Sequence, residues 1–191
     1  NRKIAEVLGN PHRMISLWWF DIPTVEEYSM TISPFFYAAA RTFLSRPQDS
    51  QYRNVLTLTR PRNGYLQNLG ARFLVTDFQI PDPAVLRETM EVPEGDDFRL
   101  YELPEPNIGN YSPTEIVVAD SAQKILAILG ADGFDFQRTA VLGEQVDVSL
   151  VPAKGAALIM DKDEYRFRAR SDGYSLVVLP LQYNNCLKLD V

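Results

Sequence analysis

The chain has 191 residues, 46% hydrophobic and 23% charged, which places it in the globular range with enough apolar side chain for one compact domain or two small ones. Its net charge of −6 argues against a nucleic-acid surface, where clustered Lys and Arg would face phosphates. With Cys186 and His12 each the sole residue of its kind, an intrachain disulfide and a Cys/His metal cluster are excluded, and no cofactor is expected.

No run approaches the about 20 consecutive apolar residues that a spanning helix needs, and the start carries no signal-peptide pattern. The opening residues 1–17 read as the interior of a longer sequence, and Leu187-Lys188-Leu189-Asp190-Val191 stops within an alternating strand pattern. The chain is therefore expected to be truncated at both ends.

In chain order, the apolar run 14–20 is short enough for a buried strand, with Trp18 and Trp19 pointing to opposite faces. Ser33 then offers an N-cap and Pro34 a first helical position, so 34–44 should be a helix with Phe36, Ala40 and Phe43 on one face, closed before Arg46-Pro47. A short helix at 63–69 should end on Gly70, whose missing Cβ permits a left-handed cap. Strands are expected at 73–78 and 98–103, flanking a third helix at 84–90 capped by Asp82 with Pro83 in its first turn. The first of these strands should lie inside the sheet. A strand at 116–119 and a helix from Ser121 to a stop at Gly130 follow.

Beyond Phe134 the texture becomes β. Residues 146–150 and 165–170 alternate apolar with polar side chains and should each have one buried and one wet face. The apolar run 175–181 should be buried on both sides, with Pro180 at an edge or bulge. Asp172-Gly173 should turn a hairpin between the last two strands. These elements predict an α+β (mixed α/β) fold: a sheet with packed helices in the first two thirds and a β-rich, antiparallel C-terminal third. Residues 1–133 form the mixed α/β region and 134–191 the β-rich region, packed as one unit.

Residues that could carry chemistry are few. Glu26 and Glu27 are neighbouring carboxylates, but adjacent residues on an extended segment point apart, whereas acid/base pairs need a shared pocket. A lone His12 needs a partner to be catalytic. Asp161-Lys162-Asp163-Glu164 lacks the glycine and the glutamate spacing of a calcium loop and reads as a solvated turn. Gly130-Ala131-Asp132-Gly133 follows a helix instead of opening one, unlike a phosphate loop. Arg166, Arg168 and Arg170 make a basic stripe, read as a wet face or a contact for lipid headgroups or an anionic glycan. The aromatic group of Trp18, Trp19, Phe20, Tyr28, Phe35, Phe36 and Tyr37 reads as core or as a sugar-stacking surface. In the second case Trp19, Asp21, Glu26 and Tyr28 are the binding residues, on a loop turned by Pro23.

The stretch Leu69-Gly70-Ala71-Arg72-Phe73-Leu74-Val75-Thr76, followed by Leu100-Tyr101-Glu102, resembles the extracytoplasmic portion of glycosyltransferase-like, multi-spanning bacterial membrane proteins of the YfhO type. Glu27-Tyr28-Ser29 is similar to a Gly-Tyr-Asp or Gly-Tyr-Ser stretch of that family, with Glu27 in place of Gly. Two departures stand out. Asn107-Ile108-Gly109-Asn110 lies where the family often has Pro-Arg-Ala, and Gln182-Tyr183-Asn184-Asn185-Cys186 lies where a Tyr-Pro-Gly-Trp turn is common.

The resemblance implies a periplasmic domain of an inner-membrane protein that handles lipid-linked sugar. Its partners would be the membrane-embedded remainder of the same chain, with glycan or lipid-linked sugar. The family's catalytic carboxylate is expected on a loop between early spans outside this sequence, so no residue here is carried over as catalytic. The alternatives are a freestanding hydrolase-like enzyme using His12, Asp21 and Glu26, and a structural assembly module.

Overall fold

The structure is a computed structural model that describes residues 22, 24–25, 33–52, 55–56, 58–91, 97–161 and 164–181. In chain order the elements are α1 (Pro34–Leu44), β1 (Gln51–Tyr52), β2 (Val55–Leu56), α2 (Asn63–Asn68), β3 (Phe73–Thr76), β4 (Val85–Met90) and β5 (Phe98–Glu102). They continue with β6 (Glu115–Val118), α3 (Ala122–Leu129), β7 (Thr139–Leu142), β8 (Lys154–Met160) and β9 (Tyr165–Arg170). This is a mixed α+β fold with a β-rich C-terminal part. Among the described residues the strands form one three-stranded sheet, ordered β3-β5-β4, and three two-stranded pairs: β1-β2, β6-β7 and β8-β9. No described helix is long and apolar enough to cross a membrane.

The three helices fall where the cap chemistry puts them. Ser33 Oγ accepts from the Phe36 N–H at 3.4 Å and Pro34 opens α1. Ser121 Oγ does the same for the Lys124 N–H at the start of α3. Gly70, at φ +82°, closes α2, with its N–H donating to Gln67 O and the Ala71 N–H to Leu66 O.

The inward side of α1 is Ala39, Ala40, Phe43 and Leu44. Phe43 is the centre of the core, joined by Tyr65 and Leu66 of α2, Leu103, Tyr111 and Phe136. The Phe43 and Tyr65 rings meet edge to face at 4.7 Å, a favoured aromatic geometry, and Tyr65 tilts toward Phe136 at 6.3 Å. Burial pushes the Tyr65 hydroxyl up to about 12.

Arg60-Pro61-Arg62 holds the ends of two helices. Arg60 donates from its guanidinium to Thr42 O and Phe43 O, and from its N–H to Leu44 O, so the last carbonyls of α1 are satisfied from a segment downstream. Arg62 reaches the other way, with Nη1 donating to Gly130 O at 2.8 Å and Nη2 to Ala131 O at 2.6 Å. Its carbon centre lies 5.5 Å above the Phe43 ring, so one guanidinium closes α3 and covers the core aromatic.

Several expectations are corrected. Residues 84–90 are strand β4, not a helix, and Asp82 caps nothing: Pro81 to Ala84 make a turn, with a cis Asp82–Pro83 bond, closed by the Ala84 N–H on Pro81 O. Val-Leu-Arg-Glu-Thr-Met suits either structure by pattern, and the free edge of β5 decides it by accepting β4 antiparallel. Both edges of β5 are then filled, so β5 is the central strand and β3 an edge. Phe73 on β3 is accordingly 52% exposed instead of interior.

In the C-terminal part, residues 146–150 and 175–181 are not strands. Only isolated bridges form there, Leu150 with Tyr174 and Tyr111 with Val178. The run 175–181 lies half-buried against the core and not between two layers. The hairpin partner of β9 is β8, through the turn whose Asp161 N–H donates to Glu164 O, so the Asp172-Gly173 turn does not join two strands. All six residues of β9 are exposed, so its expected buried face is absent. β7 and β8 are not among the strands expected from the sequence. β7 pairs in parallel with β6, with α3 as the crossover, a compact βαβ unit.

Two substitutions test this frame. Phe43→Ala should cost about 3–5 kcal/mol in urea melts, the range for a fully buried aromatic. Arg62→Ala should cost about 1–2 kcal/mol. Arg62→Lys should recover only part of that, because an ammonium cannot fork to two carbonyls.

Candidate functional site

The residues expected to bind, Trp19, Asp21, Glu26 and Tyr28, lie outside the described residues, as do His12 and Trp18. Nearby, Ile22 is exposed and Thr24 and Val25 are half-buried. Of the aromatic group, Phe35 is exposed on α1, and Phe36 and Tyr37 are half-buried.

The described residues bring three polar constellations together. The first lies on the three-stranded sheet. Glu102 of β5 accepts from Arg72 Nε at 3.0 Å on one side and from Arg87 Nε at 2.8 Å on the other. The register of β4 shifts between Leu86 and Glu88, so Arg87 occupies a β-bulge, which re-aims its side chain toward Glu102. Hydrogen bonds from Arg87 and Arg72 hold the Glu102 carboxyl below its ordinary value. A carboxylate fixed as an anion between two guanidiniums links three strands and is a poor proton donor. Sequence spacing gives no sign of this trio, because the bulge that makes it is visible only in the pairing.

The second is Asn107, fully buried and fully satisfied. Its Nδ2 donates to Asn68 O at 3.2 Å and Val178 O at 3.0 Å, and its Oδ1 accepts the Gly109 N–H at 2.9 Å. The backbone N–H of Asn107 donates to Gln67 O. The end of α2, the 107–110 loop and the 175–181 run therefore meet on one amide. The segment Asn107-Ile108-Gly109-Asn110 carries this hub. Tyr111 extends it by donating its hydroxyl to Glu105 O at 2.9 Å, and burial raises that phenol above its ordinary value.

The third is Asp49, which accepts from Thr59 Oγ1 at 2.6 Å and from the N–H groups of Arg46 and Thr59. Burial alone would raise this carboxyl, but these hydrogen bonds and the Arg46 charge outweigh it and hold it below 3.8. Thr59 in turn is held as a donor to Asp49, so the pair is a loop clamp following α1.

The basic stripe stands in solvent. Arg166 pairs with Glu164 at 3.0 Å and Asp161 at 3.7 Å, while Arg168 and Arg170 have no acidic partner among the described residues. The carbonyls of Gly130 and Ala131, in the stretch unlike a phosphate loop, are taken by Arg62. Among the described residues no group of three or more His, Cys, Asp or Glu could hold a metal ion. Within the three constellations around Glu102, Asn107 and Asp49 the polar groups bind one another.

No protein-family model matches this chain, and neither a curated protein nor a solved structure matches it.

The lowered Asp49 value sets a pH dependence. Its folded-state value lies below the unfolded one, so the clamp's contribution is fully present above the unfolded value and fades as the pH falls through the folded one. Asp49→Asn should therefore be less stable than the parent chain at pH 7, by about 1–2 kcal/mol. Urea melts repeated in steps below pH 3.8 should show that gap closing.

Proposed function

We propose that the chain is a non-catalytic extracytoplasmic domain of a polytopic bacterial membrane protein resembling lipid-linked-sugar glycosyltransferases. It stands on the periplasmic face of the inner membrane and assists in holding glycan, acceptor or a partner protein for the membrane-embedded remainder. Trp19, Asp21, Glu26 and Tyr28 are its proposed contacts, with the aromatic rings stacking on sugar and the carboxylates accepting from hydroxyls.

One observation supports this reading above others. The two stretches that carry the resemblance, 69–76 and 100–102, are neighbours in space: Leu74 pairs with Tyr101, Val75 with Leu100, and Glu102 is tied back to Arg72. The two best-matching stretches thus fall on one paired unit, leading from the Gly70 cap through β3 to β5. The same unit contains no exposed nucleophile with a base beside it, and its one paired carboxylate is engaged by two arginines.

Glycan titration followed by tryptophan fluorescence tests the binding role. Oligosaccharide should change the emission, and Tyr28→Ala should weaken binding by about tenfold, the scale of one specific aromatic contact, without lowering the melting temperature. No spectral change with any oligosaccharide, or a large loss of melting temperature in Trp19→Ala and Tyr28→Ala, would place these rings in the core. Hydrolase turnover abolished by His12→Ala or Glu26→Gln would favour the freestanding enzyme. In the parent reading frame, repeated apolar segments of about 20 residues are expected.

A further inference from the structure

We propose that the β8-β9 ribbon is an interfacial docking element for an anionic lipid bilayer. Directly opposed residues of an antiparallel pair share a face, so the register Leu158 with Phe167 and Met160 with Tyr165 collects these four side chains on one side. Met160 is 54%, Tyr165 52% and Phe167 40% exposed, so the outer part of this apolar face is open, while Leu158 is half-buried at its root. The other side, through the pairs Ala157 with Arg168, Ile159 with Arg166 and Lys154 with Arg170, is basic. A two-stranded ribbon with an open apolar face and an open cationic face has the two-sided chemistry of an interfacial amphipathic segment, in a thinner form than a helix.

Charge selects the occupant. Residues 154–172 hold five Lys and Arg against four Asp and Glu, in a chain of net −6. Arg166 is neutralised by Asp161 and Glu164 and Lys154 by Asp172, so the open cations of the ribbon are Arg168 and Arg170, without acidic partners among the described residues. A second copy docked ribbon to ribbon would set Arg168 and Arg170 against their own kind, whereas an anionic bilayer offers both phosphates for the arginines and an acyl boundary for Met160, Tyr165 and Phe167. Tyr165 suits that depth, its ring apolar and its hydroxyl polar. Long arginine side chains on a thin ribbon reach the headgroup layer while the opposite face enters the acyl boundary.

The ribbon is held at its root. The Leu158 N–H donates to Ile108 O at 2.7 Å, and Gly109, at φ +85°, lies so close that a Cβ there would stand 2.7 Å from the Leu158 nitrogen. Beyond that root residues 159–160 and 164–170 are exposed, and the loop at the root is fastened by Asn107. The choice of a bilayer as occupant rests on the membrane-protein reading above, and it adds the face by which the domain would meet the lipid.

Co-sedimentation of the 191-residue chain with vesicles tests it. Vesicles of phosphatidylethanolamine with phosphatidylglycerol should pellet the chain, vesicles of phosphatidylcholine alone should not, and added salt should release it. The double substitution Arg168→Glu and Arg170→Glu should lower partitioning at least about tenfold, and Phe167→Ser should lower it without removing its salt dependence. Lys124→Glu, an exposed charge change on α3, should leave binding unchanged. All three sets of changes lie in exposed positions, and unchanged melting temperatures would verify folding. Absence of pelleting, pelleting indifferent to lipid charge, binding to dextran sulfate alone, or self-association abolished by Phe167→Ser would each overturn the proposal. A parent protein with membrane spans but a chain that ignores vesicles would overturn this inference and leave the membrane-protein reading standing.

Discussion

Arg62 is the side chain on which the described fold turns. Its two nitrogens take the carbonyls that close α3, and its plane lies over Phe43, the innermost ring of the core. A lysine would satisfy one carbonyl as a point charge, but a planar fork can meet two oxygens while its face rests on an aromatic ring. Pro61 fixes the backbone between Arg62 and Arg60, and Arg60 closes α1. Three consecutive residues thereby link the ends of two helices whose side chains also pack in one core, Phe43 from α1 and Leu126 and Leu129 from α3. Helix ends left open in a half-buried setting would expose carbonyls to a poor solvent, and this short segment supplies their partners.

The sheets are held by a different logic. The described strands form small, separate sheets, and such pairs have little independent stability. Side chains supply the links: Glu102 ties β3 and β4 to the central β5, and Asn107 ties α2 to the loop before β6 and to Val178. A buried amide with its carbonyl and both donors engaged specifies one arrangement of three backbone segments, and any slip would strand a polar group in the interior. The same loop that satisfies Asn107 also seats the β8-β9 ribbon through Gly109, so a ribbon whose strand β9 is exposed throughout is referenced to one of the most buried residues.

The legible parts of the fold were those governed by local rules. Ser33, Pro34, Ser121 and Gly70 act within one helical turn, and their chemistry places all three helices to within a residue or two. Alternation was enough to locate β9, though not its hairpin partner or its exposure. What stayed hidden was the choice of partner. Residues 85–90 fit helix or strand, and only the vacant edge of β5 decides. Residues 146–150 alternate like a strand yet find only the single bridge of Leu150 with Tyr174, while β8, whose Ala-rich start shows weak alternation and a register shift, pairs continuously from Ala157 to Met160. The polar constellations were invisible for the same reason: Arg62 with Gly130, Arg87 with Glu102 and Asn107 with Val178 are distant in sequence. The proposed sugar contacts, Trp19, Asp21, Glu26 and Tyr28, are residues that the described structure does not reach, so their reading still rests on residue chemistry.

The separation between Asn107 and Val178 also has a consequence in time. The amide and the carbonyl that completes it are 71 residues apart. A ribosome adding about 5–20 residues each second needs several seconds to bridge that distance. Until residue 178 has been added, Asn107 lacks the carbonyl that completes its hydrogen bonding. Closure of the core around that amide is thus deferred until nearly all of the described sequence has been made. A chain ending before residue 178 would carry Asn107 without this partner, and any compact form of it would strand one amide donor in the interior.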